Sequence, residues 1–283
     1  MGLVWKELSS NTGISTFQVF LGKARTDDQA AVALELDHMA PERVVNISSR
    51  GYAHDVGSDV TSEYQGGRLS DTIRDNMFAP LILAVETQKR DIHLSFLGNN
   101  CLSSCSANGQ PISEKNPTDF FGSSLSVVNG FTDRLVGMYD ENTLNCRINM
   151  PVSFDSSSRN LVTKLTQPIR IHNVYNSVTV LDDILPHMVD LAQKSKTGTY
   201  NLTNPGVISH NEILEMYREV VDPSFNWDNI EDMHMRDKAD TGLVLETGKL
   251  QKDCPSVLPV REALRQSMVR MAMLKFNTKL QNE

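Results

Sequence analysis

The chain has 283 residues, a formal net charge of -8, 40% hydrophobic residues and 22% charged ones. That is enough to bury a full core as one large domain, or one domain with a smaller lobe, in an ordinary globular protein. The acidic balance, with no compact Lys/Arg cluster, excludes a nucleic-acid surface, and no apolar run approaches the ~20 residues of a membrane span or forms a signal-peptide core.

In chain order, Met1-Gly2 opens like a myristoylation site, but Lys6 stands where that motif needs Ser or Thr. Residues 1–10 (with Gly-Leu-Val-Trp-Lys-Glu-Leu) predict a short amphipathic helix that Asn11-Thr-Gly13 ends. Thr16 to Leu21 is rich in β-branched and aromatic residues and predicts a strand. A helix is predicted over Asp27 to Met39, with acidic residues in its first turn, and a strand over Arg43 to Ser48. After a Gly/Ser/Asp-rich connection come a long helix from Leu69 to Lys89, a strand from His93 to Gly98, a polar loop, a helix from Ser123 to Tyr139 and a strand from Leu144 to Asn149. Strands alternating with helices of this length predict a doubly wound α/β sheet with right-handed crossovers. Residues 1–150 form the expected Rossmann-like domain and residues 151–283 a smaller substrate-type lobe. In the lobe a strand is expected at Thr199 to Leu202 and helices at residues 209–219 and 259–275. Ser209-His-Asn-Glu212 is a capping box for the first of these helices.

Four cysteines (Cys101, Cys105, Cys146, Cys254) are too scattered for a disulfide framework. Cys101 and Cys105 have no second Cys/His pair beside them, so no metal is expected, and the setting is a reducing, cytoplasmic one. His54 follows a strand end, where doubly wound folds bind ligands, and is a weak substrate-contact candidate; as a loop histidine it also reads as simply solvated.

Four blocks carry a resemblance. They are Pro117-Thr-Asp-Phe-Phe-Gly through Arg134-Leu135, Arg147-Ile-Asn-Met-Pro151, Ser177-Val-Thr-Val-Leu-Asp182, and Asn201-Leu-Thr-Asn-Pro-Gly through Tyr217. Together they resemble the UDP-4-keto-6-deoxyglucose 3,5-epimerase/4-reductases of UDP-rhamnose synthesis in plants and large viruses, within the extended short-chain dehydrogenase/reductase superfamily. The resemblance runs from about Gly2 to the C-terminus. In that superfamily the Ser123 to Tyr139 helix carries Tyr-x-x-x-Lys, two positions on one helical face; here they are Leu125 and Asn129. Asn99 stands where relatives have Thr at the preceding strand end. Leucine has no proton to give a developing alkoxide and asparagine no charge, so these degenerate positions imply lost ketone reduction.

Relatives also begin with a central strand and a Gly-rich turn that cradles a pyrophosphate at a helix N-terminus. Only Gly2 remains of it here. The expectation is that the sequence starts late; the alternative is a sheet rebuilt around its missing centre. Lys23 and Arg25 after the second predicted strand suit a 2′-phosphate, and hence weak NADP(H) binding or none.

Epimerisation beside the 4-keto group needs an acid and a base, and no nicotinamide. The resemblance assigns it to a Cys and a Lys whose counterparts are Cys101 and Lys164. Arg147, on a buried strand, requires an anionic partner, either a sugar diphosphate or a carboxylate of the protein. Asp240-Thr-Gly-Leu243 replaces an Arg-Ser-Asn-Asn of the relatives, removing polar groups from the sugar-nucleotide side. Three readings follow. One is a non-reducing binding or regulatory relative that takes a UDP-sugar or associates with an active homologue or a second copy. The others are an epimerase-only enzyme and a full NADPH-dependent reductase seen in part. Neither nucleic acid nor membrane is expected as a partner.

Overall fold

A computed structural model gives the fold and describes residues 2–9, 15–47, 69–99, 110–116, 124–155, 157, 160–167, 170–171, 173–229 and 242–282. Side chains are described within these ranges from Val19 onward, save Asn99, Arg170 and residues 278–282. The principal strands are β1 (Gly2–Ser9), β2 (Ser15–Leu21), β3 (Arg43–Asn46), β4 (His93–Asn99), β5 (Thr143–Ile148) and β6 (Gly198–Asn201). They form one sheet in the order β6-β5-β4-β3-β1-β2. The helices are α1 (Gln29–Met39), α2 (Ala79–Gln88), α3 (Ser124–Val136), α4 (Leu161–Leu165), α5 (Leu181–Gln193), α6 (His210–Val220), α7 (Gly248–Asp253) and α8 (Val260–Asn282). Helices alternating with strands, and the parallel pairing of β3 with β4, give the doubly wound α/β plan expected from the sequence.

The strand expected in the smaller lobe at Thr199 to Leu202 is β6 of this sheet, paired with β5, and helix α5 and the N-terminal segment also depart from expectation. The N-terminal segment is a strand, not an amphipathic helix. β1 lies between β2 and β3 and runs antiparallel to both, pairing Leu3 with Leu21 and Val45, and Val4 with Phe20 and Val44. The centre of this side of the sheet is therefore filled by β1. The reason is tertiary: β2 and β3 each present a row of backbone donors and acceptors, and pairing both rows at once outweighs the weak helical preference of an eight-residue segment. The Asn11-Thr-Gly13 stop lies outside the described residues.

The chain divides into two compact units. The first comprises Met1–Ser103, Pro117–Arg147 and Val189–Tyr200. Its core on one sheet face packs Val32 and Leu36 of α1 and Leu83 and Ala84 of α2 against Val44 and Leu94. Helix α1 starts at Asp28, whose side chain accepts from the Ala31 N–H, and ends at Ala40 in the left-handed conformation (φ 42°) just before Pro41. The expected long helix before β4 is present but interrupted: a π-helical turn, Arg74–Phe78, leads into α2. Arg43 closes the C-terminus of α5, donating from Nε to the Ala192 carbonyl at 2.9 Å and from Nη2 to that of Gln193 at 3.0 Å.

The second unit comprises Ser104–Asn116, Ile148–Met188 and Asn201–Glu283. Its core gathers Val162, Val180, Ile208, Ile213, Leu214 and Leu264, among others. The capping box is formed, Ser209 Oγ accepting from the Glu212 N–H at 3.2 Å and Glu212 Oε2 from the Ser209 N–H at 2.9 Å. The Asn201-Leu-Thr-Asn-Pro-Gly block acts here as a staple. Asn201 Nδ2 donates to the carbonyls of Ile112 and Glu246, both at 3.0 Å; Asn204 Nδ2 donates to Asp183 Oδ2 at 2.7 Å and to the Leu258 carbonyl at 3.0 Å.

Candidate functional site

The helix expected over Ser123 to Tyr139 is formed as α3. Leu125 and Asn129 lie one turn apart near the N-terminus of α3, Leu125 half-buried and Asn129 only 9% exposed. One turn further, Thr132 Oγ donates to the carbonyls of Val128 at 2.9 Å and of Asn76 in the π-helical turn at 2.7 Å. The helix is thereby held against the segment leading into α2. At positions 125 and 129 it presents a hydrocarbon and a neutral amide. No acidic proton or fixed cation is supplied by either.

Strand β4 ends at Asn99, of which only the backbone is described. Cys101 and His54 lie outside the described residues, as does the Pro117-to-Gly122 part of the α3 block.

Arg147 meets its anion within the protein. Its Nε donates to Asp133 Oδ1 at 3.0 Å and its Nη2 to Asp133 Oδ2 at 2.7 Å, a bidentate pair in which the two side chains are 9% and 3% exposed. Asn145 Nδ2 adds a third donor to Asp133 Oδ1 at 2.9 Å. Of the two partners open to this arginine, the geometry supplies the protein carboxylate. Asp133 was not singled out in the sequence. The available signal was a buried arginine on β5 in need of an acid, with Asp133 the one acid on α3.

Lys164 sits in the last turn of α4, in the second unit. The helix is capped by Asn160, whose Oδ1 accepts from the Val162 N–H at 3.2 Å and whose Nδ2 gathers the carbonyls of Ser153 and Asp155, both at 2.7 Å. The Lys164 side chain is half-buried and makes no hydrogen bond or ion pair among the described residues.

Of the segment replacing Arg-Ser-Asn-Asn, Gly242 and Leu243 are described, and they pack against residues 175 and 176. Leu243 N donates to Asn176 Oδ1 at 2.9 Å and Gly242 N to the Tyr175 carbonyl at 2.8 Å. A Cβ on Gly242 would come within 2.1 Å of Asn176 Oδ1, so no side chain fits there as the segment lies.

After β2, Arg25 is tied to Asp27, through Nε at 3.1 Å and Nη2 at 2.7 Å. This pairing holds the Asp27 carboxyl below its ordinary value. Of the two residues suited to a 2′-phosphate, Arg25 is thus matched by an acid of the chain itself, while Lys23 is exposed. Among the described residues, no group of three or more His, Cys, Asp or Glu could hold a metal ion, and no helix is long and apolar enough to cross a membrane.

No family model matches the chain. Protein L780 of Acanthamoeba polyphaga mimivirus is 38% identical over 262 residues, covering 90% of each protein. The crystal structure of the L780 UDP-rhamnose synthase from that virus superposes with a TM-score of 0.79 at 35% identity, covering 88% of each chain. A bifunctional dTDP-4-dehydrorhamnose 3,5-epimerase/dTDP-4-dehydrorhamnose reductase of Arabidopsis thaliana is 30% identical over 253 residues, 86% of this chain and 81% of that protein.

Proposed function

We propose, since the chain belongs to the 3,5-epimerase/4-reductase family of rhamnose synthesis, that it is a member without ketone reduction, acting by binding a UDP-sugar or an active homologue. The observation that carries this reading is the pair Leu125 and Asn129 on a properly formed α3. Reducing a ketone to an alcohol requires a hydride at carbon and a proton at oxygen. A tyrosine supplies that proton when a neighbouring cation lowers its pKa from an unperturbed ~10, and general-acid help of this kind is worth about 10²–10⁴ in rate. A leucine side chain cannot take part, and an asparagine amide cannot stabilise a phenolate.

The test is calorimetric titration of the native protein with UDP and UDP-glucose, alongside turnover of UDP-4-keto-6-deoxyglucose. Binding without turnover, or co-purification with an active homologue without turnover, supports the reading. Formation of the 6-deoxy-hexose alcohol overturns it.

A second reading is favoured by Lys164, whose ammonium has no partner among the described residues. Paired with Cys101, it would move protons at C3 and C5 of the 4-keto sugar, one group removing a proton beside the carbonyl and the other returning one. Deuterium incorporation at C3 or C5 in heavy water, abolished by Cys101→Ala, would establish this epimerase and displace the binding role. Absence of exchange removes it.

A further inference from the structure

The loop between β2 and α1 builds an anion cradle and fills it from within. The backbone N–H groups of Lys23 and Ala24 are consecutive donors, and both reach the carboxylate of Glu35, at 2.7 Å to Oε1 and 2.8 Å to Oε2. Consecutive N–H groups converging on one anion form a concavity that accepts phosphate and carboxylate alike. Its position is the end of β2, where doubly wound folds read the adenosine ribose of a dinucleotide. The guanidinium groups around it are also occupied: Arg25 by Asp27, and Arg74 by Asp71 and Asp75, both at 2.8 Å. The hollow beneath the loop, bounded by Ala24, Glu35, Leu36, Val44 and Leu83, is about 30 Å³, room for a water molecule rather than a base.

We propose that Glu35 is a built-in occupant of a phosphate cradle: it holds the loop shut against nucleotides bearing a 2′-phosphate, and removing its carboxylate unmasks the site. An internal carboxylate loses no translational freedom when it docks, so a free phosphate must overcome that loss as well as displace a bidentate contact. Once the carboxylate is gone, two N–H groups are left without their acceptor, with the exposed Lys23 adjacent in sequence to offset part of the charge of a dianion. The proposal concerns the nucleotide loop alone. It is independent of the groups at positions 125 and 129, so the failure of either idea leaves the other to be judged on its own test.

The experiment is calorimetric titration of the full chain with adenosine 2′-monophosphate and with inorganic phosphate, followed in parallel by amide NMR. The native protein is expected to show no saturation with either probe below about 1 mM. Glu35→Ala is expected to bind adenosine 2′-monophosphate at least about tenfold more tightly than the native chain, a difference of about 1.4 kcal/mol. The Lys23 and Ala24 amide resonances should shift on titration. Adding Lys23→Ala to Glu35→Ala should weaken that binding. Should Glu35→Ala not fold, Glu35→Gln, which keeps the shape and removes the charge, serves the same comparison. Sub-millimolar binding of adenosine 2′-monophosphate by the native protein, or a folded Glu35 variant with no gain, overturns the proposal.

Discussion

Asp133→Asn probes the buried pair most sharply. In the native fold the Asp133 carboxylate accepts from Arg147 Nε at 3.0 Å, Arg147 Nη2 at 2.7 Å and Asn145 Nδ2 at 2.9 Å, with only 3% of its side chain exposed. An amide of the same shape removes the charge and turns one acceptor into a donor aimed at a guanidinium. An arginine left buried without its counter-charge costs about 3–5 kcal/mol. At roughly 2–4 °C per kcal/mol for a chain of this size, the melting temperature should fall on the order of 10 °C. Circular dichroism through a thermal scan, with urea unfolding as the second probe, reads the effect. The double variant Asp133→Leu/Arg147→Met removes both charges in similar volume and should lie within about 2 kcal/mol of the native protein. A cost below about 1 kcal/mol for Asp133→Asn, the level of an exposed pair, would refute this reasoning. It would mean that another anion answers Arg147, and would return the arginine to the list of substrate contacts.

Other perturbations have equally definite outcomes. Ala40 holds a left-handed conformation at the end of α1, its N–H bonded to the Leu36 carbonyl at 2.9 Å; Ala40→Gly should stabilise by about 0.5–1 kcal/mol in urea unfolding, and a loss of stability would contradict the assignment of this cap. Gly242→Ala should destabilise by about 1–3 kcal/mol, because Asn176 cannot retreat without giving up its bond to Leu243; a neutral result would show that residues 242–245 lie elsewhere. Hydrogen bonds from Lys89, then Gln29, with a further one from Arg90, lower the Glu86 pKa from 4.5 to about 2. The folded state thus favours the ionised form, so this stabilisation is complete above pH 4.5 and is lost as pH falls toward 2. Glu86→Gln should flatten that acid limb of the stability profile, and an unchanged limb would show that other groups produce it.

Much of the α/β framework was legible because local signals agreed with the final packing. β2, β4 and α6 each carry their own pattern, whether β-branched and aromatic residues, a buried apolar run or the Ser209–Glu212 capping box. β1 is not legible as a strand because half of its pairing is with β3, which sits well away from it in sequence. Helix α5 is poorly signalled in the sequence because Pro186 lies inside it, where proline removes a hydrogen bond. Arg43 on β3 caps its far end, a contact 149 residues away in sequence. The site divides in the same manner. That positions 125 and 129 hold Leu and Asn is written in the sequence itself. That Arg147 answers to Asp133, and that Glu35 fills the loop after β2, are facts of packing.

The central claim, that this chain does not deliver a proton and a hydride to a sugar ketone, is tested most directly by following NADPH absorbance with the purified native protein and the 4-keto-rhamnose nucleotide, beside the mimivirus L780 enzyme under the same conditions. The expected trace for this chain is flat at the level of buffer alone. A steady decline at a rate matching that of L780, with rhamnose appearing in the product, would contradict the account.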